Sequence, residues 1–311
     1  MNDYTKNIAV IGAGKISYSL INALVKNNYN IHIVVSLRLN SAKKLAQKFK
    51  IKRYSNKLND IPAKCSFFLL AVPDNQIKIV ADKLSCLKLN FKNSLFVHLS
   101  GAHDISLLNS LKNKNAKTAS IHIMQTFPTK RIVNIKNSFA AIETINKDIK
   151  NFLSGFTKSV GLIPFTLKSE DKALYHAAGV FASNFLVGNL FNSEMLFKES
   201  KIDNLNFYEM MRPIIISTLQ NTSKDGTVKA LSGPVERGDL ETVKKHLLSI
   251  GGKKKDNFNN LSFINYIVQS LSLLNIVENK YGELNEKHKG LKKYLFKELK
   301  GHLQSFNFLC L

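Results

Sequence analysis

Residues 7–24 read NIAVIGAGKISYSLINAL, and this stretch decides the fold. The apolar run Ile8–Ile11 predicts a buried strand, and the apolar spacing after residue 15 predicts a helix. The turn between them places Gly12, Gly14 and Ser17 in a G-x-G-x-x-G/A register. The first glycine allows a tight turn, the second lets the backbone approach a ligand, and the small third residue lets helix and strand pack closely. The stretch therefore predicts a strand, a glycine turn and a helix whose N-terminus receives an anion.

The glycine turn predicts a dinucleotide site, with the pyrophosphate on the first helical turn beside Lys15 and Ile16. An NAD-specific site would carry an Asp or Glu about 20 residues farther on, to hold the ribose diol. Residues 31–44 read IHIVVSLRLNSAKK and contain no acid, and Ser36 and Arg38 stand where the acid would be. A hydroxyl and a guanidinium suit a 2′-phosphate, so we expect NADP(H). The alternative is an exposed basic loop.

Strand-like and helical patterns alternate over the first half of the chain, which is typical of a parallel α/β sheet. The predicted strands are 7–11, 30–36, 66–72, 94–99, 118–123, 139–143 and 163–166, with helices at 15–27, 41–49, 75–84, 104–111 and 148–160. Long helical patterns follow near 170–199, 205–223, 240–249, 258–279 and 284–305. The sequence predicts an α/β fold, with an N-terminal doubly wound Rossmann sheet over residues 1–167 and an all-α domain over residues 168–311.

The chain is strongly basic, with 45 Lys and Arg against 22 Asp and Glu among 311 residues, a net charge of +23. Five of the basic residues are Arg, the residue that most often reads base edges, and the lysines are spread along the whole chain. We therefore expect no nucleic-acid partner, although the charge favours anionic ligands by steering. The densest basic run, GGKKKDN at 251–257, is interpreted as a solvated loop.

Composition and cysteine use indicate a soluble protein of a reducing compartment. The longest apolar run, Phe67–Pro73, is too short to span a membrane, and the N-terminus lacks a signal-peptide pattern. Cys65, Cys86 and Cys310 are widely spaced, and no histidine pair has the spacing of metal ligands on a helix. We expect a cytoplasmic protein with no metal site and no membrane contact.

The predicted strands at 66–72 and 94–99 run into the segments LLAVPDNQI and VHLSGA. Because parallel α/β sheets bind ligands at the carboxyl ends of their strands, we expect these turns to lie against the nicotinamide half of the cofactor. The alternative is ordinary turn chemistry with no ligand contact. The residues concerned are Ala71, Val72, Pro73, Ser100 and Gly101.

Residues 172–184 read KALYHAAGVFASN, an apolar helical pattern that we expect to be buried. A helix advances about 100° per residue, so Lys172, His176 and Ser183 would lie within about 40° of one another, with Asn184 about 80° further round. Such a polar strip on an apolar helix indicates either a water-lined cleft or core polar groups with satisfied hydrogen bonds.

Four motifs occur in order along the chain: HLSGA (98–102), HIMQTFP (122–128), YHAAGVFASN (175–184) and ALSGPVERGDLETVKKHL (230–247). Over nearly its whole length the chain therefore resembles two-domain oxidoreductases with a Rossmann-like N-terminal half and a helical C-terminal domain. That family is similar to ketopantoate reductase, pyrroline-5-carboxylate reductase and the β-hydroxyacid dehydrogenases, and it includes the alternative ketopantoate reductase PanG.

The resemblance implies NADPH-dependent reduction of a small anionic α-keto acid, with 2-dehydropantoate as the first expectation. Related reductases place a Lys and an Asn against the nicotinamide, which implies catalytic roles for Lys172, His176 and Asn184. Either Lys172 or His176 would give the proton, and the sequence does not choose between them. The expected substrate contacts are His122, Gln125, Ser183 and Arg237, each of which has a purely structural alternative.

Two other functions fit the same fold. One is an NADP-dependent reductase of an imine or of a different keto acid. The other is an NADPH-binding sensor or interaction protein without catalytic activity. The long apolar helices of the C-terminal half favour pairing with a second copy, so we also expect a homodimer.

Overall fold

The computed structural model describes residues 4–202, 204–251 and 257–305, so most of the predicted GGKKKDN loop and Cys310 lie outside the described residues. The strands are β1 (Ile8–Ile11), β2 (Ile31–Val35), β3 (Tyr54–Ser55), β4 (Phe67–Leu70), β5 (Leu95–His98), β6 (Lys117–Ile123), β7 (Phe139–Glu143) and β8 (Ile163–Thr166). The α-helices are α1 (Lys15–Lys26), α2 (Leu39–Lys48), α3 (Asp74–Ser85), α4 (Asn109–Lys112), α5 (Lys147–Ser159), α6 (Lys172–Ala182), α7 (Asn184–Glu199), α8 (Phe207–Ala230), α9 (Leu240–Gly251), α10 (Asn257–Tyr281) and α11 (Glu286–Ser305).

The strands of the described residues form one sheet in the order β3-β2-β1-β4-β5-β6-β7-β8. Neighbours run parallel from β3 to β6, whereas β7 is antiparallel to β6 and β8 is parallel to β7. The order of the first six strands is that of a doubly wound dinucleotide-binding sheet, which confirms the predicted fold class. The prediction omitted the two-residue edge strand β3 and the reversed direction of β7.

Helices cover both faces of the sheet, so its central strands are apolar along their whole length. Every residue of β1, β4 and β5 is buried, as expected for parallel strands packed on two sides. Successive side chains alternate between the faces, so the neighbours Phe67 and Phe68 belong to two different cores. This packing fixes the loops that leave the carboxyl ends of β1, β4, β5 and β6.

By compactness the chain divides into residues 1–186 and 187–311. The first unit contains the sheet and the helices α1–α6. β8 ends at Thr166 and the described elements after it are helical, which agrees with the predicted change of pattern near residue 167. Because α6 belongs to the sheet unit, the compact division lies later than the predicted boundary.

The second unit has a core of its own, built from α9, α10 and α11. Val243, Leu247, Ile267, Leu274 and Leu291 are at most 1% exposed there. By length and composition alone, residues 260–281 of α10 would suffice to cross a membrane. Core helices of soluble proteins pass the same test, and Ile267 and Leu274 show that α10 contributes to such a core.

The segment 172–184 differs from the prediction in two ways. It is two helices, because Ser183 leaves the helical conformation between α6 and α7. It is also not a buried apolar helix: Leu174 and Phe181 are 78% and 69% exposed, whereas Lys172 is 2% exposed. The polar face of α6 is therefore turned toward the sheet, and its apolar face is the uncovered one.

Candidate active site

The turn after β1 requires a glycine at its first position. Gly12 has a φ of +115°, a conformation that side chains rarely adopt. Its amide donates to the carbonyl of Val35 over 2.7 Å, and Ser17 Oγ donates to the Gly12 carbonyl over 2.9 Å. A Cβ atom at Gly12 would lie 2.1 Å from the carbonyl oxygen of Ala71. Packing of the protein itself therefore excludes any side chain at this position.

Gly14 occupies its position for a different reason. Its backbone is extended, and a Cβ atom there would meet the Ala71 carbonyl oxygen at an ordinary 3.7 Å. Gly14 precedes the first turn of α1, where no side chain caps the helix and no acidic residue lies. Uncapped amides at a helix start are the arrangement that binds a phosphate. Nearby, Lys15 is exposed and Ile16 packs against the core.

Ser36 and Arg38 follow β2, on the same edge of the sheet as the glycine turn. The Ser36 amide donates to the Ser55 carbonyl over 3.0 Å, which joins β2 to the short strand β3. Arg38 precedes α2, and its side chain is exposed. Both residues lie where the ribose of a dinucleotide on this fold would be held.

The turns after β4 and β5 are joined by a hydrogen bond. Ser100 Oγ donates to Asp74 Oδ2 over 2.8 Å and accepts from the amide of His103 over 3.1 Å. Val72 is partly buried and Pro73 is exposed beside them. The Ser100 hydroxyl therefore holds two strand ends together, and this contact does not test its predicted role in cofactor binding.

His98, at the end of β5, is hydrogen-bonded to the same turn. Its Nδ1 accepts from the Ser100 amide over 3.2 Å, so the ring proton lies on Nε2, which donates to the Asp104 carbonyl over 3.1 Å. Burial, followed by the nearby Lys172 ammonium, lowers the pKa of His98 to about 4. The ring is therefore neutral near pH 7 and acts as a structural link.

Lys172 is buried in an ion pair at the start of α6. Its Nζ donates to Glu143 Oε2 over 2.8 Å and to Ser120 Oγ over 2.6 Å. The Ser120 hydroxyl in turn donates to Glu143 Oε2 over 2.9 Å. The side chains of Lys172 and Glu143 are only 2% and 4% exposed. The contact fixes the first turn of α6 to β6 and β7.

Glu143 has hydrogen-bond donors on both carboxylate oxygens. Its Oε1 accepts from Ser169 Oγ over 2.7 Å and from the Ile105 amide over 3.1 Å. Burial alone would raise the pKa of Glu143, but the hydrogen bonds from Lys172, Ser169 and the Ile105 amide outweigh it and lower the pKa. The carboxylate is therefore ionised and satisfied, as a buried charge must be.

Two imidazole rings enclose the turn at Gly101. A Cβ atom at Gly101 would lie 2.6 Å from His122 Nε2 and 2.7 Å from His176 Cδ2. The two ring centroids are 5.8 Å apart, and His122 Nδ1 lies 3.0 Å from Tyr175 Oη. The histidine cluster, as we call His122, His176 and Tyr175 around Gly101, thus unites three predicted site residues with Tyr175, which was not predicted.

Both partners in the His122–Tyr175 contact are uncharged near pH 7. Burial lowers the pKa of His122 to about 4, and electrostatic interactions with His176 and Lys172 lower it further. Burial raises the pKa of Tyr175 to about 12. A neutral imidazole has one donor and one acceptor nitrogen, so the tautomer of His122 decides what it presents to the Gly101 turn.

Three further predicted residues make local contacts. Ser183 Oγ donates to the Gly179 carbonyl over 2.8 Å and lies 2.9 Å from Asn184 Oδ1, at the break between α6 and α7. Gln125 Oε1 accepts from the Thr126 amide over 2.8 Å in an exposed turn. These contacts leave the predicted roles of Ser183, Asn184 and Gln125 as predictions.

Two family models match the sequence: a Rossmann-like domain over residues 2–123, and the domain of unknown function DUF2520 over residues 138–263. The Rossmann-like match contains Gly101 and His122, and the DUF2520 match contains Tyr175 and His176. The histidine cluster therefore draws on both matched segments, within one compact unit. No curated protein matches the sequence.

Solved structures of the same fold cover most of the chain. A protein from Bacteroides fragilis, provisionally named an NADP oxidoreductase, is 23% identical, with a TM-score of 0.74 over 87% of this chain and 98% of that one. A reductive aminase from Aspergillus terreus is 11% identical, with a TM-score of 0.59 over 96% and 94%. A pyrroline-5-carboxylate reductase from Coxiella burnetii is 18% identical, with a TM-score of 0.52 over 97% of each chain. At these identities the likeness establishes the fold.

The DUF2520 match extends into the second unit, where Arg237 lies in an exposed turn before α9. Asp239 caps that helix, since its Oδ1 accepts from the Thr242 amide over 3.0 Å and its Oδ2 from Thr242 Oγ1 over 2.7 Å. Asp239 therefore has a structural role at the start of α9. The predicted grip of Arg237 on a substrate carboxylate stays a prediction.

A cavity of about 490 Å³ lies in the second unit, between α7, α8 and α10. None of its lining residues carries a charge: they are Asn189, Asn192, Ser193, Leu196, Phe197, Ser200, Ile202, Met210, Met211, Ile250, Ser262, Asn265, Tyr266 and Gln269. A site for an anionic acid or a phosphate needs cationic or amide donors aimed inward. The chemistry of the lining residues therefore favours the sheet edge over this cavity as the site. In the described part of the chain no group of three or more His, Cys, Asp or Glu is placed to hold a metal.

Sequence reasoning missed His98, Ser120, Glu143 and Tyr175. His98 and Glu143 did carry a signal, because each is a polar residue at the end of an otherwise apolar strand, LFVH and FAAIE. Ser120 gave no such signal, because its hydrogen bond is to Lys172, which is 52 residues away in the sequence.

Proposed function

We propose that the protein uses NADPH to reduce a small α-keto acid, and that its substrate is 2-dehydropantoate, reduced to (R)-pantoate. The observation that carries the proposal is a juxtaposition on one edge of the sheet. The uncapped start of α1 behind Gly12 and Gly14 suits a pyrophosphate, and the histidine cluster lies at the neighbouring strand ends. Hydrogen-bond donors placed there can stabilise the charge that develops on a carbonyl oxygen.

The phosphorylated cofactor is supported by the residues after β2. Arg38 is exposed there beside Ser36, and residues 31–44 contain no acid to hold an unphosphorylated ribose. The net charge of +23 favours a cofactor with an additional phosphate. The names of two structures that share the fold, the NADP oxidoreductase and the reductive aminase in complex with NADPH, agree with this choice.

The contacts favour the histidines over Lys172 as the groups nearest the chemistry. Two of the three ammonium protons of Lys172 are donated to Ser120 and Glu143 inside the unit. His176 instead lies against the Gly101 turn, as the proposed role requires. Asn184 remains the proposed neutral donor, and Arg237 the proposed partner of the substrate carboxylate.

The proposal is tested by steady-state oxidation of NADPH by the purified protein with 2-dehydropantoate, beside NADH and a panel of other keto acids. Saturable turnover that is specific for NADPH and 2-dehydropantoate is expected. NADPH binding without any turnover would mean a sensor rather than an enzyme. A preference for NADH would contradict the roles of Ser36 and Arg38.

An imine is the second candidate substrate. Two structures of the same fold are named as a reductive aminase and a pyrroline-5-carboxylate reductase. Neutral donors such as His122 would serve the reduction of a C=N bond as well as that of a C=O bond. Adding 1-pyrroline-5-carboxylate to the panel distinguishes the two, since the keto-acid proposal expects it to be reduced far more slowly.

We also propose a homodimer, because α8 is a long helix that leaves most of its apolar residues exposed. Of its residues Phe207–Ala230 only Phe207 is buried, and Ile214 and Leu219 are 63% and 53% exposed. Exposed apolar residues gathered on one helix are typical of a protein–protein contact. A second copy presents the same exposed apolar residues on α6 and α8, and in a two-fold symmetric dimer both copies bury the same surface.

Light scattering after size exclusion tests the dimer. The wild-type protein is expected at the mass of two chains, and Ile214→Glu is expected at the mass of one. Leu248→Glu, at a 72% exposed position in α9, serves as the control and should leave the dimer intact. A monomeric wild-type protein, or a dimer unaffected by Ile214→Glu, would contradict the proposal.

A further inference from the structure

We infer that His122 donates the proton to the substrate oxygen, and that Tyr175 is the positioning residue that fixes His122 in the donor tautomer. The inference rests on the proposed function, because it names the proton source for that reduction. Tyr175 would act through His122 and would not touch the substrate.

The two nitrogens of the His122 ring face different groups. Nδ1 lies 3.0 Å from Tyr175 Oη, at one side of the ring. Nε2 lies over the Gly101 turn, where a Cβ atom would approach it to 2.6 Å. The absence of a side chain at Gly101 therefore gives His122 its place at this strand end, next to the turn expected to face the nicotinamide.

The protonation of the pair sets the direction of its hydrogen bond. Near pH 7 the ring is neutral and the phenol keeps its proton, as their shifted pKa values require. A phenol is a stronger donor than acceptor, so Tyr175 donates to Nδ1 and the ring proton resides on Nε2. The ionisable groups that act on His122 are His176, Lys172 and Asp74. Burial is the largest influence on its pKa; His176 and Lys172 lower the pKa further, and only Asp74 raises it.

The position of Tyr175 is itself fixed from both sides. Lys172, one helical turn earlier in α6, is tied to Glu143 and Ser120 in the sheet. The Tyr175 ring packs edge-on against Phe165 of β8, with centroids 5.8 Å apart. The phenol is thus presented by a rigid helix start, which is the condition for holding a catalytic ring in one orientation.

The proton transfer balances without a further reactant. A bound reduced nicotinamide would supply a hydride to the carbonyl carbon, and the C=O π pair would become a lone pair on oxygen. His122 Nε2–H gives its proton to that oxygen, forming the O–H bond of the alcohol. The Tyr175 proton moves to Nδ1, so the ring stays neutral, and water later returns a proton to the phenolate.

Nitrogen NMR on the histidine-labelled full-length protein tests the positioning role without any substrate. Wild-type His122, assigned through loss of its signals in His122→Asn, is expected to carry its proton on Nε2. In Tyr175→Phe the ring should lose this fixed tautomer. Tyr29→Phe is the matched control, because it removes a tyrosine hydroxyl hydrogen-bonded to Ser159 in the same unit, and His122 should be unchanged.

Kinetics of the same variants test the catalytic role. In Tyr175→Phe we expect kcat to fall about 10- to 100-fold with KM changed less than about twofold, since general acid catalysis contributes at least this much. The affinity for NADPH should be unchanged, and the solvent deuterium effect on kcat should increase. Tyr29→Phe should behave as wild type in all three respects.

The outcomes separate this inference from the proposed function. A wild-type His122 protonated on Nδ1, or Tyr175→Phe with wild-type kcat, overturns the inference while reduction by NADPH stands. If the wild-type protein binds NADPH and reduces no keto acid or imine, the proposed function fails and the catalytic role of His122 fails with it. The NMR result still supports or overturns the positioning role of Tyr175 in that case.

Discussion

The Lys172 ammonium lies 2.8 Å from the Glu143 carboxylate, and both side chains are almost completely buried. The pair spans from the first residue of α6 to the last residue of β7. A buried ion pair is tolerated only when its remaining hydrogen-bonding groups have partners. Ser120, Ser169 and the Ile105 amide, which donate to the carboxylate, therefore belong to the same hydrogen-bond network. The network orients the face of α6 that carries Tyr175 and His176.

Removal of one member of this pair should destabilise the protein strongly. Lys172→Met leaves a buried carboxylate without its cation and should lower the free energy of unfolding by about 3–5 kcal/mol. The double variant Lys172→Met/Glu143→Leu should recover most of that loss, because apolar side chains can replace a buried pair. Urea denaturation of the single and double variants measures both values.

An exposed pair on α3 provides the control. Lys78 and Asp82 are 2.9 Å apart, with side chains 67% and 47% exposed, and Lys78→Met should cost less than about 1 kcal/mol. If Lys172→Met and Lys78→Met lower the free energy of unfolding equally, the contact between Lys172 and Glu143 does not stabilise the fold.

The two glycines of the first turn should respond differently to alanine. Gly12→Ala places a Cβ atom 2.1 Å from the Ala71 carbonyl in a left-handed conformation, so stability should fall by at least about 2 kcal/mol. Gly14→Ala has room in the protein and should keep its stability, but it obstructs the approach to a pyrophosphate and should weaken NADPH binding. Thermal unfolding and NADPH titration separate the effects. Equal destabilisation by both substitutions would refute the distinction.

Arg38→Ala should change cofactor preference. Loss of a charge-assisted hydrogen bond to a 2′-phosphate is expected to raise the Kd for NADPH about 10- to 100-fold and to leave that for NADH unchanged. Arg131→Ala, which removes an exposed arginine elsewhere in the same unit, controls for net charge. Fluorescence titration with both nucleotides gives the constants, and a parallel loss for NADPH and NADH would count against the assignment.

The protein should lose stability in mild acid. The pKa of His98 is about 4 in the folded protein and about 6.5 in an unfolded chain, so the unfolded state binds more protons between these values. Stability should therefore be complete above pH 6.5 and decline as the pH falls toward 4, and the lowered pKa of His122 acts in the same direction. His98→Asn should flatten this decline in urea denaturation from pH 7 to pH 4.5. An unchanged slope would show that His98 is not responsible.

The strands were predictable because parallel strands that are buried on both faces have continuous apolar sequences. The seven predicted strands all occur, with ends shifted by at most two residues. The reversed direction of β7 was not predictable, because the segment Phe139–Glu143 would be equally apolar in either direction. β3 was too short, at two residues, to give a pattern.

The candidate site shows where such reasoning ends. Periodicity identified two faces of α6 but not which face the protein covers. The apolar face was therefore expected inside, and Lys172 was expected either beside a cleft or as a core polar group with satisfied hydrogen bonds. The contact that reverses this assignment is with Glu143, 29 residues away in sequence, and no local pattern links the two. The glycine turn, by contrast, is a local motif, and its geometry follows from its own residues.

The most direct test of the proposed reaction follows the hydride itself. Purified protein is incubated with 2-dehydropantoate and NADPH carrying deuterium at the transferred position of the nicotinamide, and the product is analysed by mass spectrometry and NMR. We predict pantoate with one deuterium at C2. A protein saturated with the labelled cofactor that yields no deuterated pantoate would contradict the account.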